Sequence, residues 1–288
     1  MYYPKQTQWF YTIWDTLFTL VRIAVSSSFK RTMPYHKQHP SCLIAVNGPS
    51  LVDAMAKNAD KLGDCDIVVV NHFATTDEYT RLKPNMYVMC DPVFWNLGCR
   101  PNTEANVRRT FDCLAKKTNW PCTIYMPRQA SKSVFVREQI SRNPQLHLAF
   151  YNKTKCDGHQ WLLDICMSRQ LAMPRAENVL VAALALAVYS RCNRIYIAGA
   201  NNDWTAHTWV DEQNRVRRDD FHFYKEGDAA KAVYFPGNME DVVMSAYHTF
   251  HSYNQIASYV SRSKDEIRII NLCQTSFIDA FDKSERID

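Results

Sequence analysis

Short apolar runs recur along this chain, and their spacing narrows the choice of fold more than any other feature. Residues 42–46, 66–70, 86–89, 122–126, 194–199 and 267–271 are rich in Val, Ile, Tyr, Met and Cys. Each is too short for a helix and apolar on both faces, as strands buried inside a parallel sheet are. Helical stretches separate them, at 51–62, around 106–116, and at 177–190 and Met239–Arg262. Strands that alternate this regularly with helices predict a doubly wound, mostly parallel α/β sheet. Ligands of such sheets sit beyond the carboxyl ends of the strands. Asn47, Asn71 and Asp91 each end one of the first three runs. Singly, each is an ordinary turn former or helix cap; in matching positions they point to one polar crevice.

The first run leads into a turn, Asn47-Gly48-Pro49-Ser50, and then a helical stretch. Gly48 permits a backbone conformation with positive φ and leaves room for a ligand, while Pro49 and Ser50 suit a first helical turn and its cap. Free N–H groups at a helix start favour phosphate.

With 288 residues and 47% hydrophobic content, the chain can bury one large α/β domain, expected at 41–288. The formal charge of +5, from 34 basic and 29 acidic residues, comes without a long basic block. It fits an anionic lipid or substrate and argues against a nucleic-acid partner. Ten cysteines show no CxxC pair or zinc-like spacing, and no cleavable signal peptide is evident. The expectation is a cytoplasmic protein with reduced, buried thiols and no metal site.

Residues 1–40 form a separate segment of helix and linker. Trp9, Phe10, Ile13, Trp14, Leu17, Leu20, Val21 and Ala24 recur at helical spacing, with Thr12, Asp15, Thr16, Thr19 and Arg22 mostly opposite. Asp15 interrupts the apolar stretch, which falls short of the ~20 residues that span a bilayer. The tryptophans, Tyr11 and the following Lys30, Arg31, His36 and Lys37 suit a helix in the headgroup region of an anionic membrane, through residues 5–37, placing the protein at the inner face of the cytoplasmic membrane. Docking of the same face on the protein's own core, or on a second copy in a homo-oligomer, is equally compatible with the pattern.

Residues 131–173 give no firm pattern beyond a strand at 146–150. Residues 177–190 are apolar nearly all round, as a buried helix is. The stretch 201–238 is polar, aromatic and charged, the composition of a lid or substrate loop. In Met239–Arg262, Val242, Val243, Ala246, Phe250, Tyr253, Ile256, Ala257 and Val260 are expected on the core side.

Four features in order carry a resemblance: the run ending in NGPSL, the second run ending in Val70-Asn71, the segment AALALAVYSRCNRIYIAG, and the closing IRIINLCQTSFIDAF. Over roughly 41–282 the chain resembles the bacterial sialyltransferases of glycosyltransferase family 42 and their wider relatives. The resemblance implies a Rossmann-like, GT-A-like variant fold with a small lid. It also implies inverting, metal-independent transfer of sialic acid or a related sugar from a CMP-activated donor to a cell-surface glycan, as in lipopolysaccharide or capsule biosynthesis, with no further cofactor required. By it, Asn47, Gly48, Pro49 and Ser50 hold the nucleotide, joined by Asn71, Asp91, Glu177 and Asn178. Glu177 stands in a Thr-Ser-Gly position of the family, where a carboxylate would repel phosphate unless a cation intervened.

Inverting transfer needs a base for the acceptor hydroxyl, a task that suits histidine. The family's base lies in the lid before the long helix, which implies His222, with Tyr224 donating to the leaving phosphate. His251 is the runner-up and shares a helix face with His248. Two alternatives stand beside this reading. One is a nucleotide-dependent diphosphokinase of the pterin type, although a P-loop GxxxxGK[ST] is missing. The other is a non-catalytic, membrane-docked relative.

Overall fold

A computed structural model describes residues 5–32, 34, 35, 37–219, 232–234 and 237–288. Helix α1 (Lys5–Ser26) leads into β1 (Ser41–Ala45), α2 (Leu51–Lys57), β2 (Cys65–Val70), α3 (Glu78–Leu82) and β3 (Met86–Val88). Next come α4 (Glu104–Lys117), β4 (Cys122–Pro127), α5 (Val134–Ser141), β5 (Leu146–Tyr151), α6 (Gln160–Arg169), α7 (Val179–Tyr189) and β6 (Arg194–Ala198). Three short strands, β7 (Thr208–Val210), β8 (Val216–Asp219) and β9 (Ala232–Tyr234), precede the long α8 (Met239–Arg262), β10 (Arg268–Asn271) and β11 (Asp282–Lys283).

Eight strands form one sheet in the order β11-β10-β6-β1-β2-β3-β4-β5, and every described pairing in it is parallel. This is the expected Rossmann-like, doubly wound α/β architecture. The chain runs outward from β1 through β5, then returns to lay β6 against the other side of β1. Strand order reverses there, and the crevice beyond the β1 and β6 ends is the topological switch point.

Alternation along each strand divides the core. Cys42 and Ile44 of β1 face the layer holding α6, α7 and α8, whereas Leu43 and Ala45 face the layer holding α2, α4 and α5. Helix α7 is buried continuously from Leu180 to Val188, which explains why its sequence is apolar all round.

Two expectations need correction. Helix α2 stops at Lys57 instead of continuing to residue 62, because the buried Asn58 amide donates to Ala54 O and Glu285 O while its Oδ1 accepts from Ile287 N, tying the helix end to the C-terminal segment. Val243 on α8 is exposed, although Val242 beside it is buried. In the 131–173 region the expected strand is present as β5, and α5 and α6 flank it.

Helix α1 also departs from a simple core-docking picture. Its polar side faces the body: Thr16 and Thr19 are buried, Thr19 Oγ1 donates to Asp157 O, and Arg22 pairs with Asp157 at 2.9 Å. Its apolar side, including Phe10, Trp14, Leu17, Phe18, Val21 and Val25, is exposed. No helix among the described residues is long and apolar enough to cross a membrane.

Candidate functional site

Two backbone turns are zipped together at the switch point. Val46 N donates to Ala198 O and Gly48 N to Gly199 O, each at 2.8 Å. A Cβ on Gly48 would lie 2.1 Å from Gly199 O, and one on Gly199, whose φ is +76°, would lie 2.2 Å from Val46 O. Gly48 does not use the positive φ open to it. It is required by close backbone approach, and the left-handed conformation falls to Gly199.

The turns form the floor of a cleft of about 260 Å³ lined by Val46, Asn47, Gly48, Pro49, Val70, Asn71, Val179, Gly199, residues 201–204, His207, Arg218 and Asp219. Asn47, Gly48, Pro49 and Asn71 thus meet as expected. Ser50 is not among the lining residues. Its Oγ donates to Asn201 Oδ1 at 2.7 Å, so it braces the turn.

The Oδ1 atoms of Asn47 and Asn71 are buried and accept no hydrogen bond among the described residues. An unpaired buried polar group costs roughly 1–3 kcal/mol, which a donor group on a ligand would offset. Asn71 is held in place by its backbone: φ is +52°, its N–H donates to Val88 O, and its carbonyl accepts from Tyr87 Oη. Asparagine tolerates that left-handed conformation better than most residues.

A second cleft shares Asn71 and Val179 with the first and adds Cys90, Asp91, Pro92, Arg100, Lys153, Ala176, Glu177 and Asn178. Asp91 caps the turn after β3 by accepting from Val93 N, and pairs with Arg100 at 3.0 Å. Glu177 pairs with Arg175 at 2.7 Å. Asn178 caps α7, accepting from Val181 N, while its Nδ2 donates to Tyr253 Oη at 2.8 Å.

Tyr253 joins the two clefts. Its hydroxyl also accepts from Asn202 Nδ2 at 2.6 Å, so one buried side chain on α8 fixes both the start of α7 and the turn after β6. Burial pushes its phenol well above the ordinary value, keeping it neutral. In the sequence Tyr253 reads only as core, because periodicity reports burial and is blind to a hydroxyl's partners.

Residues 201–204, His207 and Arg218, all within the stretch expected as a lid, also line the cleft, and the β6 run, like the first two, leads into asparagine. Trp204 stacks on Phe250 of α8 (6.0 Å, 8°), fixing this turn. His207 Nε2 lies 3.5 Å from Asp203 Oδ2, a carboxylate able to orient the ring. His222 and Tyr224 lie outside the described residues. His251 and His248 line a separate cleft with Tyr11, Thr12 and Asp15 of α1, and His251 stacks on Tyr247. Desolvation holds both imidazoles below their usual pKa.

No protein-family model matches the sequence, and neither does any curated protein. Among solved structures, the chain is similar to the MAf glycosyltransferase from Magnetospirillum magneticum AMB-1, with a TM-score of 0.48 and 10% sequence identity over 94% of this chain. The match covers 38% of that chain, so the present protein spans well under half the length of its neighbour.

Proposed function

We propose that this protein is a glycosyltransferase that binds a nucleotide-activated sugar in the switch-point cleft and transfers the sugar to a glycan acceptor. The observation that carries the reading is the pair of buried, unpaired carboxamide oxygens of Asn47 and Asn71 at adjacent strand ends. Fixed acceptors of this kind suit the N–H and O–H donors of a base and a ribose. The motif resemblance favours a CMP-activated sialic acid or a related sugar as donor. It also favours inversion without metal or further cofactor, and a lipopolysaccharide or capsule glycan at the inner face of the cytoplasmic membrane as acceptor. In this reading residues 201–238 serve as the lid.

In the transfer, the acceptor oxygen bonds to the anomeric carbon as the bond from that carbon to the donor phosphate oxygen breaks. The electron pair leaves with the phosphate, and the acceptor proton passes to a base. Arg218 lines the cleft and suits the growing charge on the phosphate. His222 is the proposed base and Tyr224 the proposed donor to the leaving group, with Asp91, Glu177 and Asn178 bordering the sugar side. His207, oriented by Asp203, is the second histidine able to take the proton.

A diphosphokinase is the second reading, favoured by the carboxylates Asp203 and Asp219 in the same cleft, which could hold magnesium on a triphosphate. Thermal-shift measurements with CMP, UDP, GDP and ATP, each with and without Mg²⁺, test both. Stabilisation by CMP without metal is expected. Stabilisation only by ATP with Mg²⁺ would favour the kinase, and none by any nucleotide would favour a non-catalytic relative.

A further inference from the structure

Helix α1 is attached to the body by the side that a soluble helix would normally expose. Thr12, Thr16, Thr19 and Ile23 follow one another at four- and three-residue steps down the attached side. Thr16 Oγ1 accepts from His159 N at 2.9 Å, Thr19 bonds both ways with Asp157, and Gly158 passes so close that a Cβ would lie 2.3 Å from Thr16 Oγ1. Beyond the helix, Ser27 Oγ meets Thr154 Oγ1 at 2.7 Å, and Asn152 bonds the Ser28 backbone in both directions. This anchorage is polar and local, so it fixes which face points outward.

The outward face is a second stripe at the same steps: Phe10, Trp14, Leu17, Phe18, Val21 and Val25, all exposed, Val25 by 81%. Asp15 and Arg22, seven apart, lie in a different column, and Arg22 is engaged by Asp157. Aromatic and branched side chains left about half exposed along such a stripe form one contiguous apolar patch, the kind of surface that marks a protein or membrane interaction site. Phe29, 73% exposed, extends the stripe past the helix end. Next to it stand the exposed cations Lys30 and Arg31, and the bond from Thr32 N to Gln170 Oε1 brings the exposed Arg169 of α6 to the same end.

We infer that this stripe docks on an anionic lipid surface, with α1 lying in the plane of the headgroups. Charge complementarity selects this occupant over a second copy: a self-interface would bring the Lys30, Arg31 and Arg169 clusters into an apolar contact without a described acid beside them, whereas anionic headgroups neutralise all three. Tryptophans and a tyrosine on a helix too polar to span are the interfacial composition. The docking is independent of the donor site, so either reading stands if the other fails.

Co-sedimentation of the full chain with phosphatidylcholine vesicles, with and without phosphatidylglycerol, tests the inference. Binding is expected to the anionic vesicles and to weaken with salt. Trp14→Glu with Val21→Glu should lower it at least tenfold. Lys30→Gln and Arg31→Gln should each lower it about fivefold at low salt. All of these positions are exposed, and unchanged melting temperatures will show that the variants fold. No binding to anionic vesicles, or equal binding by Trp14→Glu/Val21→Glu, would overturn the inference. So would a dimer in light scattering that the apolar double variant dissociates while vesicles capture nothing.

Discussion

Gly48 N donates to Gly199 O at 2.8 Å, the same oxygen that a Cβ on Gly48 would approach to 2.1 Å. One contact therefore joins the turns after β1 and β6 and excludes any side chain at position 48. The crevice floor is built from backbone.

Gly48→Ala should destabilise the fold by about 1–3 kcal/mol, because the obstructing atom is a carbonyl oxygen in a rigid turn and not a movable side chain. Gly98→Ala, where an added Cβ meets nothing within 4 Å, is the control and should stay within about 0.5 kcal/mol. Urea unfolding of the two variants measures the difference.

Asn47→Ala removes a buried oxygen that has no described partner. Stability should hold or rise slightly, while nucleotide affinity should fall about tenfold, the worth of one well-made hydrogen bond to a ligand. Calorimetric titration with CMP, paired with thermal melting, separates the two effects; an unchanged dissociation constant would argue against the nucleotide site.

Tyr253→Phe deletes the hydroxyl that accepts from both Asn178 and Asn202. Leaving those amides without that acceptor should cost about 1–3 kcal/mol. It should also loosen both cleft walls, read as faster amide exchange at the start of α7 and in residues 201–203.

His222→Ala should reduce transfer by about 10²- to 10⁴-fold, the usual contribution of a positioned base, with nucleotide affinity and melting temperature unchanged. His207→Ala is the matched comparison. A loss confined to His207→Ala moves the base to the Asp203–His207 pair, and a loss that follows unfolding removes His222 from the role.

Asp211 is held by a hydrogen bond from Arg217, with further backbone and Arg215 contacts, and its carboxyl falls from the usual 3.8 to about 2. A depressed carboxyl favours the folded hairpin above its ordinary pKa, and the contribution is lost as pH falls through the depressed one. The β7–β8 hairpin should therefore hold at pH 4 and loosen toward pH 2, followed by NMR shifts of Trp209 and Arg217. Asp211→Asn should remove that pH dependence.

The doubly wound sheet, the buried α7, the extent of α8 and the convergence of Asn47 and Asn71 are legible in the order of residues alone. Those properties are local: periodicity records which faces are buried, and a parallel sheet obliges successive strand ends to share one edge. Tertiary structure decided everything that depends on a partner distant in the chain. The reason Gly48 is glycine lies at Gly199, and the hydroxyl spanning the clefts comes from α8. The orientation of α1 belongs to the same class. Its periodicity defines an apolar and a polar side, but which side meets the body was set by hydrogen bonds to residues 152–159, and a moment read from one helix carries no information about them.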